Sequence, residues 1–120
     1  MILETKITNR EELKHILKNE NPGVIIIKFS ATWCGPCKLI DNFVKNKLSN
    51  LPQTTINVLK IDIDEAFDIY GFLKTKKVLK GVPTILAYFQ GNLECFPDDM
   101  VSGTNETEIS AFFARCIEQV

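Results

Sequence analysis

At 120 residues the chain has room for one domain with its own core, and not for two. A formal net charge of −1, with 45% hydrophobic and 24% charged residues, argues against a nucleic-acid or acidic-membrane partner and fits an ordinary soluble fold. No apolar run approaches the roughly 20 residues that span a bilayer, and the opening Met1-Ile2-Leu3-Glu4-Thr5-Lys6 lacks the basic-then-apolar order of a secretory signal. A reducing, cytoplasmic compartment is therefore expected, where a closely spaced cysteine pair is reactive or metal-binding rather than a structural bridge.

Residues 2–7 read as a short first strand, with Ile2, Leu3 and Ile7 apolar. Asn9 is a good helix N-cap, Glu12 completes a capping-box pattern, and Leu13, Ile16 and Leu17 follow as a helical stripe. His15 falls on the polar side of that stripe and reads as a surface histidine. Asn21-Pro22-Gly23 ends the helix in a turn, and residues 24–30 are apolar on both faces, as in the middle of a covered sheet. Trp33-Cys34-Gly35-Pro36-Cys37-Lys38 then opens a second helix, closed by Leu51-Pro52, with Leu39, Ile40, Phe43, Val44 and Leu48 on its buried side.

Residues 56–63 alternate apolar side chains with Asn57, Lys60 and Asp62, the pattern of another strand. A helix is expected over 65–73, weakened by Gly71. Lys74, Lys76, Lys77 and Lys80 read either as a solvated helix end or as a patch that steers acidic partners. Residues 84–89 form a strand, Gln90-Gly91-Asn92 a hairpin turn and 93–96 its return, which Pro97-Asp98-Asp99 interrupts as at a sheet edge. Asn105 and Glu108 cap a last helix whose apolar face is Ile109, Phe112, Phe113, Cys116 and Ile117. Strands alternating with helices indicate a single α/β domain over 1–120 with a mixed sheet.

The cysteines carry the chemistry. Cys34 and Cys37 stand where a strand hands over to a helix, and that spacing reads as a redox pair. Unpaired N–H groups and the positive dipole end of the helix favour a thiolate, so Cys34 is the expected nucleophile. Cys37, one turn on, is placed to attack a mixed disulfide formed at Cys34. Pro36 suits the first turn, where its missing N–H has no helical partner to lose. A four-cysteine metal site would need a second close pair, and Cys95 and Cys116 are far apart in sequence; no metal is expected. Cys116 shares an apolar stripe and reads as core, while Cys95 is either a tolerated buried thiol or a site of regulatory oxidation or dimerisation.

The WCGPCK stretch after an apolar strand, Val82-Pro83-Thr84 before the next strand, Gly91 in a hairpin and Gly103 before the last helix together resemble the thioredoxin family. The similarity runs in order along nearly the whole chain. It implies the thioredoxin fold, a central mixed sheet of about five strands flanked by four helices, and thiol–disulfide exchange that reduces protein disulfides. By position it implies Cys34 as the attacking and Cys37 as the resolving cysteine. Pro83 would be the cis-proline facing the pair, where the residues alone would also allow a simple turn. Val82 would offer its backbone to an extended substrate segment, and Trp33, Gly35, Pro36 and Gly103 would complete an apolar docking surface. The resemblance further implies no bound cofactor, electrons from an NADPH-dependent thioredoxin reductase, disulfide-containing proteins as partners and a monomer. CGPC favours a reductant over an isomerase or oxidase. A thioredoxin-fold binding or redox-sensing subunit, whose cysteines are not needed for turnover, is the other reading.

The sequence departs from the family most at Lys28, where thioredoxins usually hold a buried aspartate behind the resolving cysteine. A buried, charged lysine would lower the Cys37 thiol pKa; a neutral one would be a base; a snorkelling one would take its amine to water or to a carboxylate such as Asp64. Lys60 matches a lysine the family often keeps in the next strand, and two lysines there require an acidic partner or solvent access. Asn42, where many members have a helix-kinking proline, predicts a straighter helix. Ser30 stands in place of a frequent tryptophan, and additional residues precede Val82 and surround Pro97.

Overall fold

A strand without polar alternation needs partners along both edges and cover over both faces. Residues Val24–Ser30 obtain both in the computed structural model, which describes residues 2–3 and 7–120, the first two by their backbone only. In chain order the elements are β1 (Ile2–Leu3), α1 (Arg10–Asn19), β2 (Val24–Ser30), α2 (Gly35–Ser49), β3 (Ile56–Asp62), a 3₁₀ turn (Ile63–Glu65), α3 (Phe67–Thr75), β4 (Thr84–Phe89), β5 (Asp99–Ser102) and α4 (Glu106–Glu118). The sheet order is β1-β3-β2-β4-β5, with β2 in the centre, parallel to β3 and antiparallel to β4. This is the mixed sheet with four helices that the resemblance implied.

Side chains alternate across β2 and sort the core into two layers. Ile25, Ile27 and Phe29 pack with Leu13, Ile16 and Leu17 of α1 and with Ile69 and Leu73 of α3. Val24 and Ile26 pack with Ile40, Val44 and Leu48 of α2 and with Ile109, Phe112 and Phe113 of α4. Lys28 has the parity of Val24 and Ile26, so it leaves the strand on the side covered by α2. At the start of β2, Gly23 lies so close to Val120 Cγ1 and to the Thr55 carbonyl, 2.7 and 2.8 Å from where a β-carbon would sit, that a larger residue would not fit.

Several boundaries differ from expectation, each for a local reason. The first strand covers only Ile2–Leu3; positions 4–6 lie outside the described residues, and Ile7 is a buried core residue beyond the strand. Asn9 caps α1 by accepting from Glu12 N at 2.9 Å, but the Glu12 carboxylate reaches back to Thr8 N rather than to the cap's own N–H. In α2 the stripe Cys37, Ile40, Val44 and Leu48 keeps three- and four-residue spacing, which leaves Leu39 on the outer side, 77% exposed. Asp62 accepts from Asp64 N at 2.9 Å and winds residues 63–65 into a 3₁₀ turn, so Ile63 leaves the strand and α3 starts later, at Phe67. Ile117 lies at the end of α4, past the packed face, and is exposed.

The largest correction concerns the hairpin. The turn at Gly91 is present, with φ +95°, but residues 93–96 do not return as a strand. Tyr88 Oη donates to the Cys95 carbonyl at 2.7 Å and draws Cys95 into the core. The Asp98 carboxylate accepts from Phe89 N at 2.7 Å, and backbone pairing resumes only where Asp98 N meets the Ala87 carbonyl at 2.8 Å. Asp99, expected to interrupt the strand, therefore begins β5, which is the sheet edge.

Replacing Tyr88 by Phe leaves the Cys95 carbonyl buried without its donor, and is expected to lower stability by about 1–2 kcal/mol. Urea unfolding measures the loss, and hydrogen exchange should accelerate across residues 93–98; an unchanged midpoint would show that the bond does not hold this excursion.

Candidate active site

The end of β2 at Ser30 and the start of α2 at Gly35 leave four residues to turn the chain, and Cys34 N closes that turn on the Ala31 carbonyl at 3.1 Å. Cys34 is then the N-cap of α2, with extended backbone, and its sulfur accepts from Cys37 N at 3.1 Å. Ordinarily a cap is an oxygen; here a sulfur receives an orphan N–H at the positive end of the helix. Both influences favour an anionic sulfur at Cys34. Pro36 lies in the first turn, where it sacrifices no hydrogen bond. Cys34 and Cys37 are joined as a disulfide, with their Cα atoms 5.3 Å apart.

Three other segments close on this pair. The Cys34 sulfur lies 3.8 Å from the Val82 carbonyl oxygen, and the Val82–Pro83 peptide bond is cis. The Pro83 carbonyl accepts from Gly103 N at 3.1 Å, and Gly103 takes φ +90°, a left-handed conformation in which any side chain would be strained. The ends of β4 and β5 are thereby tied together beside Cys34. Trp33 is 64% exposed, and its indole Nε1 donates to Asp64 Oδ2 at 2.8 Å. Gly35 and Pro36 are also exposed, while Cys34 itself is only 3% exposed. An attacking group must therefore approach over this rim.

Behind Cys37 the Lys28 amine has the acidic partner that was expected, though not the carboxylate that was named. Lys28 is buried at 5% exposure, yet its Nζ pairs with Asp41 Oδ1 at 3.1 Å, not with Asp64. Asp64 is taken by Trp33, and the parity of β2 turns Lys28 towards α2, where Asp41 stands. Lys45, one turn along α2, binds the other oxygen of Asp41 at 3.0 Å. The Lys45 ammonium, aided by Lys28, holds the Asp41 carboxyl below the usual carboxylate range although partial burial opposes it. A cavity of about 200 Å³ is lined by Lys28, Ser30, Thr32, Cys37, Lys38 and Asp41. Lys60 is the register partner of Lys28 on β3, but it lines a separate, much smaller cavity together with Asp62 and Glu65. Sequence reasoning missed Asp41 and named Asp64 only as a partner for Lys28, not for Trp33. The Asp41–Lys45 spacing was visible, but both long-range partners depend on how β2 faces the helices.

Cys95 and Cys116 lie in opposite core layers and cannot join one site. Burial raises the pKa of the Cys95 thiol and pushes that of Cys116 up to about 12. His15 is exposed, its Nδ1 3.1 Å from Asn19 Nδ2. Lys74, Lys76, Lys77 and Lys80 are exposed too, with Lys74 over the Tyr70 ring and Lys76 over Phe72. No helix among the described residues is long and apolar enough to cross a membrane.

A family model described as Thioredoxin matches residues 4–115. Over 115 residues the chain is 31% identical to Thioredoxin 3 of Plasmodium falciparum, covering 95% of this chain and 60% of that protein. It is also 31% identical over 100 residues to the H-type thioredoxin of Ricinus communis, covering 81% of this chain and 74% of that one. Among solved structures, a crystal structure of a Plasmodium falciparum thioredoxin superimposes with a TM-score of 0.67 at 29% identity, covering 95% of this chain and 87% of its own.

After reduction, iodoacetamide at pH 7 is expected to label Cys34 first and to leave Cys95 and Cys116 unlabelled until the chain unfolds. A thiol pushed up to about 12 is ionised in only about one molecule in a hundred thousand at that pH. Peptide mass mapping of a time course reads the order, and early labelling of Cys116 would contradict its burial.

Proposed function

The chain belongs to the thioredoxin family of thiol–disulfide oxidoreductases, and on that premise we propose that it works chiefly as a reductant of protein disulfides. The observation that carries the reading is the sulfur cap of α2, with Cys37 N donating to Cys34 Sγ at 3.1 Å. Stabilising the Cys34 thiolate in this way supplies the nucleophile that disulfide exchange requires.

The cycle follows from the two positions. The Cys34 thiolate attacks one sulfur of a target disulfide, forming a mixed disulfide and releasing the other target sulfur as a thiolate that takes a proton from solvent. Cys37 then loses its proton and attacks Cys34 Sγ, forming the Cys34–Cys37 disulfide and releasing the second target thiol. The target gains two electrons and the pair loses two. Val82, beside the Cys34 sulfur, presents backbone groups that an extended target segment can pair with. Trp33, Gly35, Pro36 and Gly103 form the exposed rim against which that segment docks, with Pro83 buried behind it. A dithiol pair carries the electrons without a bound cofactor, and a separate NADPH-dependent thioredoxin reductase restores it. The chain acts as a monomer in a cytoplasmic setting, and its two unpaired buried cysteines fit a reducing compartment. Nucleic acid and membrane are not its partners.

Insulin reduction with NADPH and a thioredoxin reductase tests this. Wild type is expected to turn over, Cys34→Ser to lose essentially all activity, and Cys37→Ser to accumulate a covalent adduct with the target. Absence of turnover in wild type, with partner capture unaffected by Cys34→Ser, would assign the chain to the binding-subunit class instead.

A further inference from the structure

Resolution requires Cys37 to lose a proton at the wall of a cavity that a buried side chain also lines. That side chain is cationic. Lys28 reaches the cavity behind Cys37 from β2, with Asp41 on its amine at 3.1 Å. An isolated buried ammonium would give up its proton or seek water; a hydrogen-bonded carboxylate keeps it charged. Asp41 does not cancel its field at Cys37. The carboxylate is about two-fifths exposed and shares its charge with Lys45, whereas the ammonium is buried, with its side chain 7% exposed. Solvent screens the anion more than the cation.

Of the other charged groups, Lys38 lines the same cavity from α2 and adds a second cation. Lys60 stands in register beside Lys28 on β3, but it lines a separate cavity with Asp62, whose carboxylate keeps its charge while it accepts from Asp64 N, so these two opposite charges offset each other there. Asp64 accepts from the Trp33 indole on the exposed rim. Asp41 is also a poor base, because Lys45 and Lys28 both favour its ionised form. A carboxylate relay is therefore replaced by cationic stabilisation.

Resting on the disulfide-exchange reading above, we propose that Lys28, anchored by Asp41, is a positioning residue for the resolving step, its ammonium stabilising the Cys37 thiolate as that thiolate forms in the cavity. The proton of the Cys37 thiol leaves to solvent past Lys38 and Thr32. The thiolate attacks Cys34 Sγ, the Cys37–Cys34 bond forms, the Cys34–target bond breaks, and the target sulfur leaves with the electron pair and is protonated by solvent. Stabilising the reduced pair also makes its disulfide more oxidising than it would be without Lys28.

The test uses the full chain, reduced, with cysteine Cβ carbons labelled for NMR, and reads the Cys37 titration and the equilibrium of the pair with glutathione. Lys28→Met is expected to raise the Cys37 pKa by about half to one unit and, measured at a pH above both titrations, to shift the equilibrium about threefold to tenfold towards the disulfide. Asp41→Asn removes the carboxylate that keeps the buried amine charged and is expected to move both readouts the same way as Lys28→Met but less far, while Lys28→Arg, which stays charged, stays near wild type. A Cys37 titration unmoved or lowered in Lys28→Met, or one that Lys28→Arg moves as far as Lys28→Met does, would overturn the proposal. Should Lys28→Met fail to fold around a stranded Asp41, Lys28→Met/Asp41→Asn removes both charges, and the Cys37 pKa must still rise. Neither readout needs a target or a reductase. These shifts in a protein that cannot reduce insulin would sink only the functional reading, and their absence in one that can would sink only this inference.

Discussion

The hydrogen bond from Cys37 N to the Cys34 sulfur is the contact around which the molecule is arranged. It requires α2 to begin at one residue and no other, because a helix started a position earlier or later would offer its orphan N–H groups to a different atom. What sets that start is β2. Bonded to β3 on one edge and β4 on the other, the strand cannot slip without turning its apolar set out of both core layers. The short span between Ser30 and Gly35 then leaves the sulfur little choice of position. Catalytic geometry here is inherited from sheet register.

The same register explains what could be read from the residues and what could not. β2, β4, α1, α2 and α4 were legible because their signals are local: an unbroken apolar run, a stripe at helical spacing, an Asn cap with Glu three positions on. The cysteine pair was legible for the same reason. The strand expected at 93–96 was not, since the apolar residues there satisfy a strand pattern while Tyr88 and Asp98 hold that segment in a different path. Leu39 and Ile117 misled because one apolar residue beside a stripe is indistinguishable in sequence from a member of it. Asp41 as the partner of Lys28 depended on strand parity and helix placement together, neither of which a spacing rule contains.

Lys28 is the place where local preference and fold conflict most openly. A lysine in a strand otherwise made of Val24, Ile25, Ile26, Ile27 and Phe29 is a charge in the core of the sheet, and natural sequences keep such conflicts chiefly at working sites. Its surroundings show how the conflict is contained. Asp41 pairs with the charge at hydrogen-bond distance, Lys45 holds Asp41 ionised, and the cavity gives the group a polar boundary on the side of Cys37. A charge that served only packing would be better replaced by an apolar side chain of similar volume, since buried pairs contribute little net stability.

That reasoning bears on how a redox pair is tuned. Two cysteines in a disulfide are electrically neutral, whereas the reduced pair carries a thiolate, so any fixed charge nearby acts on one side of the equilibrium only. The helix terminus acts on Cys34, the cap of α2, and loses strength within the first turn. Cys37, which closes that turn, receives less of it and instead shares the wall of a cavity with a side chain of a neighbouring strand. The two sulfurs are thus governed by separate devices: a backbone terminus set by the start of α2, and an ion pair set by a single position of β2. Changing the second leaves the first in place, so attack and resolution can be adjusted independently without altering the sequence between the cysteines.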